Sequence, residues 1–312
     1  MSVPVAVVDI GSNSIKILVA VRRADGSVHP LHTRSIDARI SAGISRADPH
    51  LSAAGMARGL DAIVSLLADA RRFSAARTVL VATSAVRDAR NGPDFRARIL
   101  AATGHSVRIL TGDEEANLIG RGLCCDPALG ALRDFYVFDL GGGSLECLAF
   151  RDRRIAQAHS LQLGCVRLTE RFVPDSAQPL DPATVAAIAD HTRAALAASG
   201  FAFNLPPAAA AIGTGGTVST VRAILGACVG QAFDATPAEV AVADLRRLSA
   251  HLNALDLPAR RAISGLPSAR ADVFPAALIT LLAVADTGGF PAYRNSLYNL
   301  RYGLADEALA AA

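Results

Sequence analysis

The feature that most constrains this chain is a duplication. Val7-Val8-Asp9-Ile10-Gly11-Ser12-Asn13-Ser14 reads as a buried strand running into a polar turn, and Val137-Phe138-Asp139-Leu140-Gly141-Gly142-Gly143-Ser144 repeats it at a constant offset. An apolar strand follows each turn at once, Ile15 to Val21 and Leu145 to Phe150. Each of these strands ends in a second polar turn, Ala24-Asp25-Gly26-Ser27 and Arg151-Asp152-Arg153-Arg154, before a third strand-like run. A solenoid repeats every 20–50 residues or so; a single copy at long range instead describes one domain used twice. A chain of 312 residues has room for two cores. The junction is expected near Asp126-Pro127, where Cys125 to Gly130 carries Pro and Gly, which gives lobes over 1–125 and 126–312.

The composition of the turns has a chemical meaning. Small residues let consecutive backbone N–H groups approach an anion and form a nest for phosphate oxygens. Asp9 and Asp139, at the strand ends, would repel a bare phosphate but are useful if they hold a divalent cation that neutralises it. A hairpin alone can require one such turn, so the pair carries more than either copy. A third glycine turn, Gly213-Thr214-Gly215-Gly216-Thr217, follows the apolar run Ala208 to Ile212. Val218 to Leu225 behind it opens a helix, which would aim a helix N-terminus at the anion. Val218 stands where the last glycine of a dinucleotide fingerprint would be, and no G-x-x-x-x-G-K-[ST] occurs.

Two more polar segments sit just past apolar strands. Thr78 to Thr83 leads into Ser84-Ala85-Val86-Arg87-Asp88, and Val107 to Leu110 leads into Thr111-Gly112-Asp113-Glu114-Glu115-Ala116-Asn117. Strand C-termini are where open α/β sheets bind ligands. Acids at a helix start also serve as caps and complement the helix dipole; that role is given to Asp113, whereas Glu115 is read as functional. Glu146 stands in an otherwise apolar strand and needs a metal or an arginine as partner, because an unpaired buried charge is expensive.

The remaining composition excludes more than it assigns. With 51% hydrophobic and 19% charged residues and a net charge of +3, the chain is an ordinary globule and not a nucleic-acid binder. Lys16 is the only lysine and every other basic side chain except histidine is arginine. GC-rich coding gives that bias, although arginine's planar fork also suits phosphate. Five cysteines form no C-x-x-C pair and the seven histidines form no ligand cluster, so neither a zinc site nor a disulfide framework is expected. No Ser-His-Asp or Cys-His arrangement stands out. Met1 to Ile10 lacks a basic leader, and the longest apolar run, Phe274 to Ala285, is too short for a bilayer of about 30 Å. A cytoplasmic protein with no membrane partner is expected.

Taken in order, these segments resemble the exopolyphosphatase and guanosine pentaphosphate phosphohydrolase (Ppx/GppA) family. The matching stretches are V-V-D-I-G-S-N-S at 7–14, A-T-S-A-V-R-D-A-R-N at 82–91, I-L-T-G-D-E-E-A at 109–116, F-D-L-G-G-G-S-L-E at 138–146, L-Q-L-G-C-V-R-L at 161–168 and I-G-T-G-G-T at 212–217. The glycine turns alone would also fit actin, Hsp70 and sugar kinases. The resemblance implies an α/β protein of two actin-like ATPase (ribonuclease H-like) domains flanking an active-site cleft, lined by Asp9 and Asp139. It also implies Mg²⁺- or Mn²⁺-dependent hydrolysis of a phosphoanhydride, with inorganic polyphosphate the expected substrate and guanosine tetraphosphate or pentaphosphate an inhibitor or alternative substrate.

The same resemblance implies residue roles. Glu115 is the general base, with Glu114 the alternative one position earlier, and Arg87 clamps the terminal phosphate. Asp139 and Glu146, with Asp9, go with metal and water. Ser12, Asn13, Ser14, Gly141, Gly142, Gly143, Ser144, Gly213, Thr214, Gly215, Gly216 and Thr217 form the phosphate cradle. Asn117 stands where the family often has arginine, and Leu145 where it usually has threonine. The chain resembles the short two-domain form, with a closing strand and helix over Ser296 to Leu309 that pack back towards the first lobe. Pairing with a second copy is left open.

Overall fold

The computed structural model describes residues 3–42 and 48–311. They form two compact units, Met1–Ala131 with Tyr298–Ala312, and Leu132–Leu297.

In the first unit β1 (Val5–Ile10), β2 (Ile15–Arg22) and β3 (Val28–Ile36) form an antiparallel meander, and β4 (Arg77–Ala82) and β5 (Val107–Ile109) add in parallel on the far side of β1. The order is β3-β2-β1-β4-β5. Side chains alternate across a strand, so Ala6, Val8, Ile10, Ile15, Ile17 and Val19 share one face. That face packs on α1 (Ala53–Arg72), which buries Met56, Ile63, Leu66, Leu67 and Ala70 at helical spacing, and on Phe95 and Ile99 of α3 (Gly92–Thr103). Between β4 and α3 lies the short helix α2 (Ser84–Asp88), and α4 (Gly112–Cys124) follows β5.

The second unit repeats the plan. Its meander is β6 (Phe135–Leu140), β7 (Leu145–Arg151) and β8 (Arg154–Leu161), followed by α5 (Cys165–Phe172) and α6 (Pro182–Ser199). β9 (Ala210–Thr214) pairs in parallel with β6 and leads into α7 (Gly215–Cys228). The strand β10 (Glu239–Ala241) precedes α8 (Val242–Asn253), α9 (Leu257–Arg261) and α10 (Phe274–Gly288), after which β11 (Ala292–Asn295) pairs in parallel with β9 and antiparallel with β10. The order is β10-β11-β9-β6-β7-β8. Without its edge strand β10 this is the order of the first unit, and both are the ribonuclease H-like sheet of the actin-like ATPase fold. The apolar run at Phe274 becomes α10, which is buried over most of its length in the core of this unit. Among the described residues no helix is long and apolar enough to cross a membrane.

The lobe limits of 1–125 and 126–312 need correction. Asp126 accepts from Ala128 N at 2.8 Å and caps a short turn, Pro127–Leu129, directly after α4. The chain therefore stays with the first unit as far as Ala131. The second unit ends at Leu297, and α11 (Leu300–Ala310) belongs to the first, lying on β1, β2 and α4 as the resemblance implied for the closing helix. Two glycines permit that seam: a Cβ on Gly122 would meet the Asn299 carbonyl, and one on Gly303 the Leu118 carbonyl.

Candidate active site

In the first unit, side-chain contacts run from the glycine turn to the acidic helix. Ser12 and Asn13 are buried, and Ser12 Oγ lies 3.1 Å from Ser84 Oγ at the start of α2. Arg87, one turn along α2, donates through Nη1 to Leu110 O at 2.8 Å and to Glu115 Oε2 at 3.0 Å. Its Nε is 3.5 Å from Asp88 Oδ1. Glu115 is 6% exposed, so this ion pair compensates a carboxylate that water hardly reaches.

Glu114, next in the chain, is built differently and serves the helix terminus. Thr111 Oγ1 accepts from Glu114 N at 3.1 Å while Glu114 Oε2 accepts from Thr111 N at 2.8 Å, a reciprocal capping box. Glu114 Oε1 also pairs with Arg108 at 2.9 Å. Successive helical residues point about 100° apart, so one acid of the pair caps the helix and the other turns inward.

Peptide geometry shows where the turn amides point. A trans peptide directs its C=O and the following N–H to opposite sides. In the second unit Gly141 O accepts from Cys165 N at 3.0 Å, Gly142 O from Val166 N at 2.9 Å, and Gly143 O from Arg167 Nε at 3.0 Å. All three carbonyls face the start of α5, so the N–H groups of Gly142, Gly143 and Ser144 are aimed away from it as a row. In the first unit Ser12 O accepts from Ser41 N at 3.2 Å and Asn13 O from Arg39 N at 2.8 Å. The N–H groups of Asn13 and Ser14 are turned away by the same logic. Two turns of unlike sequence thus present amides in the manner of an anion nest.

The third turn is more committed to packing. Gly215 has φ +77°, and a Cβ there would strike Asp139 Oδ1. Gly216 would meet Arg270 Nη1 if it carried a side chain. Arg270 donates to Gly216 O at 2.7 Å and to Thr220 Oγ1 at 3.0 Å. Thr214 and Thr217 are fully buried, and the Thr217 hydroxyl donates to Leu140 O at 2.9 Å. Gly213 O accepts from Ser296 N at 3.0 Å, and a Cβ on Gly213 would fall on Val218. What this segment can offer an anion is the N–H groups in the first turn of α7.

The carboxylates proposed for metal divide by unit. Asp139 and Glu146 are direct partners across β6 and β7. They therefore share a face with Cβ atoms about 5 Å apart. Ser160 Oγ donates to Glu146 Oε1 at 2.9 Å. One or two carboxylates plus substrate oxygens and water suit Mg²⁺ or Mn²⁺, so this pair fits the ion. Among the described residues no group of three or more His, Cys, Asp or Glu comes together as a ligand set. Asp9 has a different partner, Lys16, opposite it across β1 and β2. Burial pushes the Asp9 carboxyl above the ordinary range, while the charges of Lys16 and Arg301 pull it down.

Three contributors carried no assigned role in the sequence. Gly164 has no room for a Cβ, which would fall on the peptide carbons of Gly142 and Gly143. Arg167 holds the Gly143 carbonyl from the same segment. Both lie in L-Q-L-G-C-V-R-L, whose glycine before a helix was the available signal. Arg270 had none, since its target turn is far away in the chain. Of the two departures, Asn117 donates to Asp113 O at 2.7 Å within α4, and Leu145 lies fully buried in the second core.

Two ribonuclease H-like units, each built on a meander with an amide-lined turn, place the chain in the actin-like class. Residues 19–311 match the Ppx/GppA phosphatase family, and the chain belongs to that family. It is similar to the crystal structure of an exopolyphosphatase from Cytophaga hutchinsonii, at 24% identity and TM-score 0.87 over 99% of this chain and 98% of that one. It is also similar to the Aquifex aeolicus member of the Ppx/GppA family, at 21% identity and TM-score 0.79 over 100% and 99% of the two chains. These likenesses show the fold.

Proposed function

We propose that this protein is an exopolyphosphatase, releasing orthophosphate from the end of inorganic polyphosphate. The observation that carries the reading is the buried Glu115 carboxylate held by Arg87 and linked through α2 to the first glycine turn. A buried carboxylate is expensive without a partner, which Arg87 supplies here, and accepting a proton from water is a task that such an acid can perform. The family makes the protein a phosphatase, and the exopolyphosphatase whose fold it shares favours a polyphosphate chain. Hydrolysis of guanosine pentaphosphate uses the same groups and is the second reading.

Phosphoryl transfer asks a protein chiefly for position and charge. The amides of Asn13 and Ser14 in the first unit take phosphate oxygens, and so do those of Gly142, Gly143 and Ser144 in the second. Arg87 leaves Glu115 for the terminal phosphate. Glu115 then holds a water and takes its proton as the water oxygen bonds to phosphorus and the bridging P–O bond breaks. Orthophosphate departs and the chain is one unit shorter. Mg²⁺ or Mn²⁺ held by Asp139 and Glu146 would supply positive charge against the phosphate oxygens. The deciding experiment is orthophosphate release from polyphosphate, guanosine pentaphosphate and ATP, side by side with Mg²⁺. Polyphosphate as the preferred substrate is expected; preference for guanosine pentaphosphate selects the second reading, and release from none of them ends both.

A further inference from the structure

The two D-x-G turns are copies in backbone and opposites in charge. Asp139 faces Glu146 across β6 and β7, and at the matching place Asp9 faces Lys16 across β1 and β2. Directly opposed residues of an antiparallel pair are the closest side-chain neighbours a sheet offers. Two carboxylates so placed repel and favour a cation between them; a carboxylate opposite an ammonium is already neutralised.

The surroundings reinforce the difference. Ile15 and Ile17 point into the α1 core, so Lys16 lies on the other face of the sheet with Asp9. That face is covered by α11, whose second residue, Arg301, adds another positive charge acting on Asp9. A divalent ion at Asp9 would have to share one carboxylate with these two cations. Lys16 is also the only lysine of a chain that otherwise uses arginine. A compact ammonium can stand beside a carboxylate without the planar fork and multiple acceptors that arginine demands.

We infer that Lys16, supported by Arg301, is the resident cation of the first turn, and that the divalent ion is held through the second turn alone. Asp9 is then an anchor for Lys16 and no metal ligand. The inference rests on the proposed metal-dependent hydrolysis, but it concerns where the ion binds.

The test is titration of the full chain with Mn²⁺ alone, following free Mn²⁺ by electron paramagnetic resonance, with folding checked by circular dichroism. The wild-type chain should bind a single ion. Asp139→Asn should weaken it at least about tenfold, the lower end of what even outer-shell losses cost. Asp9→Asn should leave it within about twofold, because it removes no ligand. Folded Lys16→Gln should gain a second, weaker ion at Asp9, where the charge of Arg301 remains but that of Lys16 is gone. Loss of Mn²⁺ in Asp9→Asn comparable to that in Asp139→Asn overturns the inference and leaves the hydrolase reading intact. So does a single ion in folded Lys16→Gln. A wild-type chain that binds no Mn²⁺ removes the metal from the proposed function, and this assignment with it.

Discussion

Arg87 Nη1 lies 3.0 Å from Glu115 Oε2, and the same nitrogen donates to the Leu110 carbonyl at 2.8 Å. The proposed clamp and the proposed base are thus bound to each other. Their pairing keeps a buried carboxylate compensated and fixes its direction. It also means that a phosphate must outcompete Glu115 for the guanidinium, and in doing so it frees the base.

Replacing the base separates chemistry from binding. Glu115→Gln keeps the shape and removes the proton acceptor, so turnover of polyphosphate should fall by about 10²–10⁴-fold. Affinity should hold or rise slightly, since a negative charge near a polyanion is gone. Glu114→Gln keeps a capping-box acceptor and weakens only the exposed Arg108 pair, so it should cost less than about 1 kcal/mol of stability with little change in turnover. Single-turnover rates and equilibrium binding on both variants check this; a turnover loss confined to Glu114→Gln would move the base by one position.

Arg87→Ala should damage both parameters. It deletes a charge-assisted contact proposed for bound substrate and transition state alike, and it removes the ion pair that Arg87 makes with the buried Glu115. KM should rise and turnover should fall together. Arg87→Lys keeps the charge but cannot bridge Leu110 and a phosphate with one planar group, so it should recover only part of the loss. Full recovery by lysine would show that charge alone is needed at this position.

Much of this was legible from residue order. The repeat of Val7–Ser14 at Val137–Ser144 is local, and a strand–turn–strand signal needs no distant partner, so both meanders and both amide turns could be read directly. The split between Glu114 and Glu115 was partly legible, because the helical period sends neighbours to different sides. The rest depended on contacts between remote segments. Gly164 matters through its distance to Gly142, Arg270 through its bond to Gly216, and α11 through its seam with α4. The return of Tyr298 onward to the first unit was implied by the family resemblance and not by the residues, since strand periodicity carries no trace of it. The opposed charges at Asp9 and Asp139 were hidden for the same reason: they appear only once strand register is known.

The anchoring of α11 should depend on pH. Asp306 lies 2.8 Å from Arg22 Nη2 and 2.6 Å from Arg121 Nε. Burial pushes its carboxyl up, but the hydrogen bonds and charges of these arginines bring it below the ordinary 3.8. A depressed acid stabilises the fold above its unfolded value and loses that contribution as pH falls through its folded value. Asp306→Asn should therefore cost about 1 kcal/mol near neutrality. The difference from wild type should shrink below 3.8. Urea unfolding of both proteins at neutral and at acidic pH measures it; an equal cost at both would assign the effect to packing.

The second glycine turn allows a test that removes no charged or hydrogen-bonding side chain. Gly164 precedes α5, and a Cβ there would fall on the peptide carbons of Gly142 and Gly143. Those peptides send their carbonyls to Val166 N and Arg167 Nε and their amides the other way. Gly164→Ala must push the turn outward or pull α5 back, and overpacking of this kind costs about 1–3 kcal/mol. Either movement breaks the alignment of the 142–144 amides while Glu115 and Arg87, in the other unit, are untouched. Polyphosphate binding should weaken by about tenfold or more, since an amide donor lost to a charged acceptor is worth about 1.5–3 kcal/mol. Glu115→Gln, in contrast, should lose turnover and keep binding. Calorimetric titration of polyphosphate into the two variants reads the difference, and unchanged affinity in folded Gly164→Ala would show that these amides do not hold the chain.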